Sequence, residues 1–224
     1  MKRSLLALLT LSVPAFAFAQ AGIVQSPAYK ECIALSSSNP MQALAKAEEW
    51  RAIDNGIAAQ HCYAMALYGA KRYAEAGEAL NNLRFAIPEE NLTLRTFVTR
   101  QAASAWKNSN RADAALAILD LQLSEMQKAK GANALTAKLA SDMFLERARL
   151  NVTYGKTALA MQDLDHAVSL TPLNVDVLNE RAATFEMVGD TSLARADAES
   201  VLKLNPSDTK ARAMLARLDK APAK

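Results

Sequence analysis

Glycine and proline supply only seven residues each of a 224-residue chain, histidine and cysteine two each, and aromatics 6%. So few turn-formers exclude the many short strands of a β-sandwich or barrel. Two histidines and two cysteines leave little material for a metal centre or a histidine-based triad. His61 and His166 stand 105 residues apart. The chain also has no P-loop, no G-x-G-x-x-G, no G-x-S-x-G and no H-E-x-x-H. Catalysis, a cofactor and a metal are therefore not expected. An excess of one charge is missing too. There are 26 basic and 23 acidic side chains, and Lys2 and Arg3 are the only charges among the first 19 residues. Beyond that segment the balance is 24 to 23, which gives no global attraction to nucleic acid or anionic lipid. What the chain does have is alanine, 46 residues of it, the strongest helix former.

Residues 1–19 read as a secretory signal peptide: Lys2-Arg3, an apolar run from Leu5 to Val13, Pro14 to end its helix, and Ala17-Phe18-Ala19 before Gln20. The uncharged run Ser4–Gly22 is nearly long enough to act as a retained anchor. Pro14 and the Ala-x-Ala end favour cleavage instead. No cysteine sits at the cleavage point to carry a lipid, and no later run is apolar enough to span a membrane. The leader resembles Gram-negative export signals, so a periplasmic protein without stable membrane insertion is expected.

The remainder is periodic. Ala76, Ala115, Ala160 and Ala194 each follow another alanine by 12 residues: Ala64, Ala103, Ala148 and Ala182. Between the members of each pair lies a turn: Lys71-Arg72, Asn110-Arg111, Gly155-Lys156 or Gly189-Asp190. Twelve residues further on stand Pro88, Gln127, Pro172 and Pro206. The last two units are 34 residues apart, and the earlier ones are 39 and 45 apart. The pattern predicts helix–turn–helix units. Small residues let two antiparallel helices approach closely, and larger ones (Leu67, Trp106, Phe185; Leu80, Leu119, Leu164) fill the remaining space. One such pair cannot bury its apolar faces alone, so the units stack.

At these residues the chain resembles the tetratricopeptide repeat (TPR) family, most clearly over Phe144–Pro172 and Leu178–Pro206, then over Gln60–Pro88 with its Arg72-Tyr73-Ala74-Glu75-Ala76, and more weakly over Thr99–Gln127. Asn39-Pro-Met-Gln-Ala43 resembles the same turn in a degenerate first unit. Asn151 departs from the pattern, in the slot where Trp106 and Phe185 stand. The resemblance implies an all-α, right-handed superhelical solenoid of antiparallel helix pairs: a degenerate repeat over 20–56, repeats over 57–90, 96–129, 141–174 and 175–208, and a capping helix and tail over 209–224. In the cap, Ala213, Leu215, Ala216 and Leu218 are expected to face the stack. The insertion holding Gly131 reads as a flexible joint or, preferably, as longer flanking helices with Gly131 at the turn.

In the repeat register Cys32 and Cys62 lie on the first helices of neighbouring units. In an exported protein this favours a disulfide over two buried thiols. The family lines a concave groove with its first helices. By that resemblance the inward slots hold His61, Met65 and Tyr68; then Phe97, Arg100, Ser104 and Lys107; then Asp142, Leu145 and Arg149; then Asp176, Asn179 and Glu186. The groove reads as mildly basic at its centre (Arg100, Lys107, Arg149), aromatic at one end and acidic at the other. It would suit a peptide or protein partner in the cell envelope, with the basic residues pairing its carboxylates. Asp163 and His166 read as a solvated pair rather than metal ligands. The implied role is a scaffold or adaptor. A chaperone or carrier of exported polypeptides and a non-catalytic regulatory subunit of an envelope complex are the alternatives.

Overall fold

The computed structural model describes residues 26–128 and 133–220. The leader over 1–19, Gly131 and the tail over 221–224 lie outside the described residues. Eleven α-helices follow one another among those described: α1 (Pro27–Ser38), α2 (Pro40–Ile53), α3 (Ile57–Gly69), α4 (Tyr73–Ala86), α5 (Leu92–Asn108), α6 (Ala112–Lys128), α7 (Ala134–Thr153), α8 (Thr157–Leu170), α9 (Val175–Val188), α10 (Thr191–Leu204) and α11 (Thr209–Leu218). They form five antiparallel pairs and a final single helix, an all-α TPR-like solenoid. Each helix packs on its chain neighbours, and the odd-numbered helices also meet along one wall: α1 on α3, α5 on α7, α7 on α9, and α9 on α11.

The helix ends are chemically marked. Pro27 and Pro40 occupy first-turn positions, where a missing N–H costs nothing. Side-chain oxygens of Asn39, Asn91, Asn133, Asn174, Asp190 and Asp208 accept backbone N–H groups at the starts of α2, α5, α7, α9, α10 and α11. Each contributes roughly 1 kcal/mol relative to alanine. Asn133 and Thr136 form a reciprocal capping box. It starts α7 seven residues before the repeat boundary expected at 141.

Four hairpin turns share one geometry. Lys71, Asn110, Gly155 and Gly189 all have positive φ, between 61° and 84°. In each turn the N–H of that residue donates to a carbonyl three residues back, at 3.0–3.1 Å. The next N–H donates to a carbonyl five residues back: Arg72 to Leu67, Arg111 to Trp106, Lys156 to Asn151 and Asp190 to Phe185, at 2.7–2.9 Å. This is the Schellman termination, which needs a left-handed residue just past the helix. Glycine adopts that conformation without steric penalty. At the two earlier turns Lys71 and Asn110 bear it instead.

The paired alanines form the seam. Ala64, Ala76, Ala103, Ala115, Ala148, Ala160, Ala182 and Ala194 are all buried, with at most 4% exposed. Leu67, Leu80, Leu119 and Leu164 are buried beside them. The helix that closes the stack turns differently from the expectation. Ala211 and Met214 are its buried residues, with Leu215 and Leu218 partly covered. Ala213 and Ala216 face water, because the buried stripe runs one position earlier in the turn.

Polar clips tie the pairs together. Arg147 of α7 holds Asp163 of α8 through two nitrogens and reaches Asp120 of α6 at 2.7 Å. Thirty-four residues later Arg181 of α9 repeats the arrangement, holding Asp197 of α10 and reaching Asp165 of α8 at 3.0 Å. Asp163 is therefore buried and paired, not solvated. Asn151 explains its departure from the repeat pattern by donating to the same carboxylate at 3.1 Å. His166 instead stacks on Phe144, with ring centroids 5.1 Å apart. Between α4, α5 and α6 a buried Arg84 pairs with Glu125, which Arg95 also contacts. At the N-terminal end Cys32 of α1 and Cys62 of α3 form a disulfide across a Cα separation of 5.9 Å. Closing a 30-residue loop stabilises by about 3–4 kcal/mol through the unfolded state.

The turn geometry gives a first prediction. Lys71 is exposed and left-handed, so Lys71→Gly removes a steric penalty that exceeds the added chain entropy. Urea unfolding is expected to show a gain of roughly 0.5–1 kcal/mol. A loss would mean that the lysine side chain stabilises the turn.

Candidate functional site

The odd-numbered helices carry the residues proposed for the groove, and the structure divides them into two groups. The first lies on α3 and the facing part of α5. The Tyr68 hydroxyl and Ser104 Oγ are 3.1 Å apart, and Asn108 donates to the same hydroxyl at 2.7 Å. Tyr68 also meets Tyr73 edge-on, with centroids 5.1 Å apart. Met65 Sδ accepts from Gln101 Nε2 at 3.4 Å. Both Met65 and Tyr68 keep partial exposure.

His61 does not join this surface. It is only 1% exposed, because Tyr29 of α1 and Gln101 of α5 close over its two ends. The Tyr29 hydroxyl lies 3.0 Å from Nδ1, and Nε2 lies 2.8 Å from Gln101 Oε1. The amide oxygen can only accept, so Nε2 carries the proton and Nδ1 accepts from the tyrosine. Burial lowers the imidazole pKa to about 4, partly opposed by the hydrogen bond to Gln101. Burial also raises the Tyr29 hydroxyl above its ordinary value. His61 lies on α3, the first helix of its pair, where the register puts it. The register could not show that the degenerate first repeat covers that position.

The second group forms a cleft. A cavity of about 740 Å³ opens between α5, α7 and the α8–α9 connection, lined by Arg100, Asp142, Leu145, Arg149, Leu173 and Asp176 among others. Arg100 and Arg149 are thus brought to one site, whereas Lys107 is exposed at the end of α5 and outside this lining. The lining carries three basic and two acidic side chains, but neither arginine is unpaired. Arg100 is paired with Glu146 at 2.8 Å, and Arg149 with Glu180 at 2.7 Å and Glu146 at 3.4 Å. The result is an alternating ladder running from α5 through α7 to α9. At the acidic end Asn179 contacts Asp208 at 3.4 Å, and Glu186 pairs with Arg217 of α11 at 2.7 Å.

Several lining groups were not legible from the repeat pattern. Lys138 enters because α7 begins at Ala134. Pro172, Leu173 and Val175 enter because the loop after α8 forms one wall. Leu173 is 74% exposed among the described residues. Asn91-Leu-Thr93 and Asn151-Val-Thr153 match the Asn-x-Ser/Thr glycosylation pattern, but Asn151 is buried against Asp163 and Asn91 caps α5. Among the described residues no cluster of three or more His, Cys, Asp or Glu could hold a metal ion, and no helix is long and apolar enough to cross a membrane.

Known structures share the architecture. YrrB, described as a TPR protein with an unusual peptide-binding site, aligns with 90% of this chain and 96% of its own at a TM-score of 0.57 and 13% identity. MamA from Desulfovibrio magneticus RS-1, residues 41 to the end, aligns with 82% of this chain and 98% of its own at a TM-score of 0.56 and 15% identity. At such identities the likeness is one of fold. No protein-family profile matches the sequence, and no curated protein matches it significantly.

The buried histidine gives a second prediction. Its folded pKa lies below the ordinary value of 6.5, so the unfolded chain takes up the proton first. The associated stability is fully present above pH 6.5 and declines as pH falls toward 4. His61→Gln keeps a donor and an acceptor but does not titrate. Between pH 7 and pH 4 the wild type is expected to lose about 2–3 kcal/mol more than this variant in chemical denaturation. Parallel curves for the two proteins would show that the imidazole is not held neutral.

Proposed function

We propose that this chain is an exported interaction module that holds a peptide, or an extended segment of a partner protein, in the cleft between α5, α7 and the α8–α9 loop. The observation that carries the reading is the cleft itself. It is about 740 Å³, open on one side, and walled by half-buried ion pairs with an exposed leucine at its rim. Pockets of this size with convergent polar groups around apolar side chains are ordinary ligand sites. The fold likeness to a peptide-binding TPR protein supports the class of ligand. The role that follows is that of a scaffold or adaptor.

Two features support export to an oxidising compartment of the cell envelope. Residues 1–19 have the charge, apolar run and Ala-x-Ala ending of a cleavable leader. The Cys32–Cys62 disulfide belongs to such a compartment and is rare in a reducing cytosol. Fractionation of cells expressing the whole chain, with intact-mass analysis, is expected to yield a periplasmic protein starting at Gln20 and lacking two thiol hydrogens. A cytoplasmic protein with the leader intact and both thiols reduced would reject the assignment.

The cleft is tested by selection. A displayed library of random 12-residue peptides is panned on the wild-type protein, and enriched peptides are measured against Leu173→Asp by fluorescence anisotropy. Leu173 is exposed, so the substitution leaves the core intact. Affinity is expected to fall at least tenfold. Enriched peptides that bind both proteins equally would place the site elsewhere, and failure to enrich any peptide would count against an interaction module of this kind.

A further inference from the structure

The pairing of charges in the cleft points to the chemistry of its occupant, an inference that rests on the cleft being the binding site. Three cations, Arg100, Lys138 and Arg149, and two carboxylates, Asp142 and Asp176, line the cleft, and Glu146 and Glu180, outside that lining, pair with the arginines. The two sets are not equally available. The arginines are engaged by half-buried glutamates on neighbouring helices, at 2.7 and 2.8 Å. An incoming carboxylate therefore meets arginines whose charge is already compensated, with the compensating glutamates close by to repel it. Asp142 and Asp176 differ from these glutamates in their partners, Asp142 being no more exposed than they are, at 21% against 26–29%. Among the described residues Asp142 pairs with Lys138, four residues before it on the same helix, at 3.0 Å. That lysine side chain is 62% exposed, and such pairs are weak and easily exchanged. Asp176 is exposed on the first turn of α9, on the same lining and within electrostatic reach of Arg149.

The apolar part of the cleft adjoins these two carboxylates. Leu145 is buried in the floor, and Pro172, Leu173 and Val175 lead up to Asp176. Leu173 is the side chain with most to gain from being covered.

We propose that the occupant is an extended segment pairing a basic side chain with a neighbouring aliphatic one. The cation lies between Asp142 and Asp176, displacing the Lys138 ammonium into solvent. The aliphatic group covers Leu173 against Pro172 and Val175. The arginine–glutamate ladder then acts as a rigid, charge-neutral wall that rejects acidic segments. This is the reverse of the preference read from the arginines alone.

The test uses the disulfide-bonded protein and two synthetic nine-residue peptide pools. One is randomised over Ala, Gly, Leu and Arg, and the other over Ala, Gly, Leu and Glu. Binding is followed by fluorescence anisotropy at low and high sodium chloride. The basic pool is expected to bind at least tenfold more tightly than the acidic pool and to weaken with salt. The double variant Asp142→Asn, Asp176→Asn should reduce basic-pool binding at least tenfold, and Leu173→Ser at least threefold. Lys107→Ala, outside the cleft, should change nothing. Circular dichroism melts keep the comparison to folded proteins. Tighter binding of the acidic pool would overturn this inference and leave the cleft as the site. No binding of either pool, or basic-pool binding indifferent to Asp142, Asp176 and Leu173, would overturn it as well. In that event the selected 12-residue peptides decide the parent reading: sensitivity to Leu173→Asp keeps the cleft, and indifference removes it.

Discussion

In each of the four later hairpins a pair of alanines, twelve residues apart, lies in the buried seam between two helices. A methyl group is the largest side chain that still allows backbones to approach this closely, and the approach distance sets everything outward from it. It fixes where the larger neighbours such as Leu80, Leu119 and Leu164 can fit. It fixes how far each hairpin stands from the next, and thereby which side chains of successive odd-numbered helices can reach one another. Arg100 touches Glu146, and Arg149 touches Glu180, because successive first helices are close enough for two side chains to span the gap. A larger residue at any of these alanines would widen the seam and pull the cleft walls out of register.

The same architecture is maintained by different means along its length. The first two hairpins lack the arginine–aspartate clip and have a covalent bond instead. The middle relies on Arg84, buried completely, with Glu125, Thr99 and Gln122 around it. Among the described residues the last two pairs carry the repeated clip of Arg147 and Arg181. In a solenoid each repeat is stabilised mainly by its neighbours. Different local devices can therefore substitute for one another, provided every junction has one.

How much of this was legible in the sequence depended on whether a property is periodic. The alanine spacing, the turns and the terminal prolines repeat, so the helix pairs could be placed from them, and the cysteines could be assigned to neighbouring first helices. The cleft is not periodic. His61 occupies an inward slot, but Tyr29, from a repeat with little signature, covers it. Arg100 and Arg149 looked like unpaired cations because Glu146 and Glu180 stand beside the inward slots rather than in them. The wall made by Leu173 came from a loop, where helical periodicity says nothing. Lys138 came from the lengthened start of α7. The 45-residue spacing announced an insertion there but not which helix would absorb it.

The disulfide has a topological consequence apart from its contribution to stability. The connection over 54–56, between α2 and α3, is exposed and lies between the two bonded cysteines. A peptide bond cut there opens the backbone but separates nothing, since Cys32 still joins the piece before the cut to Cys62 in the piece after it. The first hairpin is thus a closed ring in which a single proteolytic nick releases no fragment. Beyond Cys62 the same nick divides the chain in two.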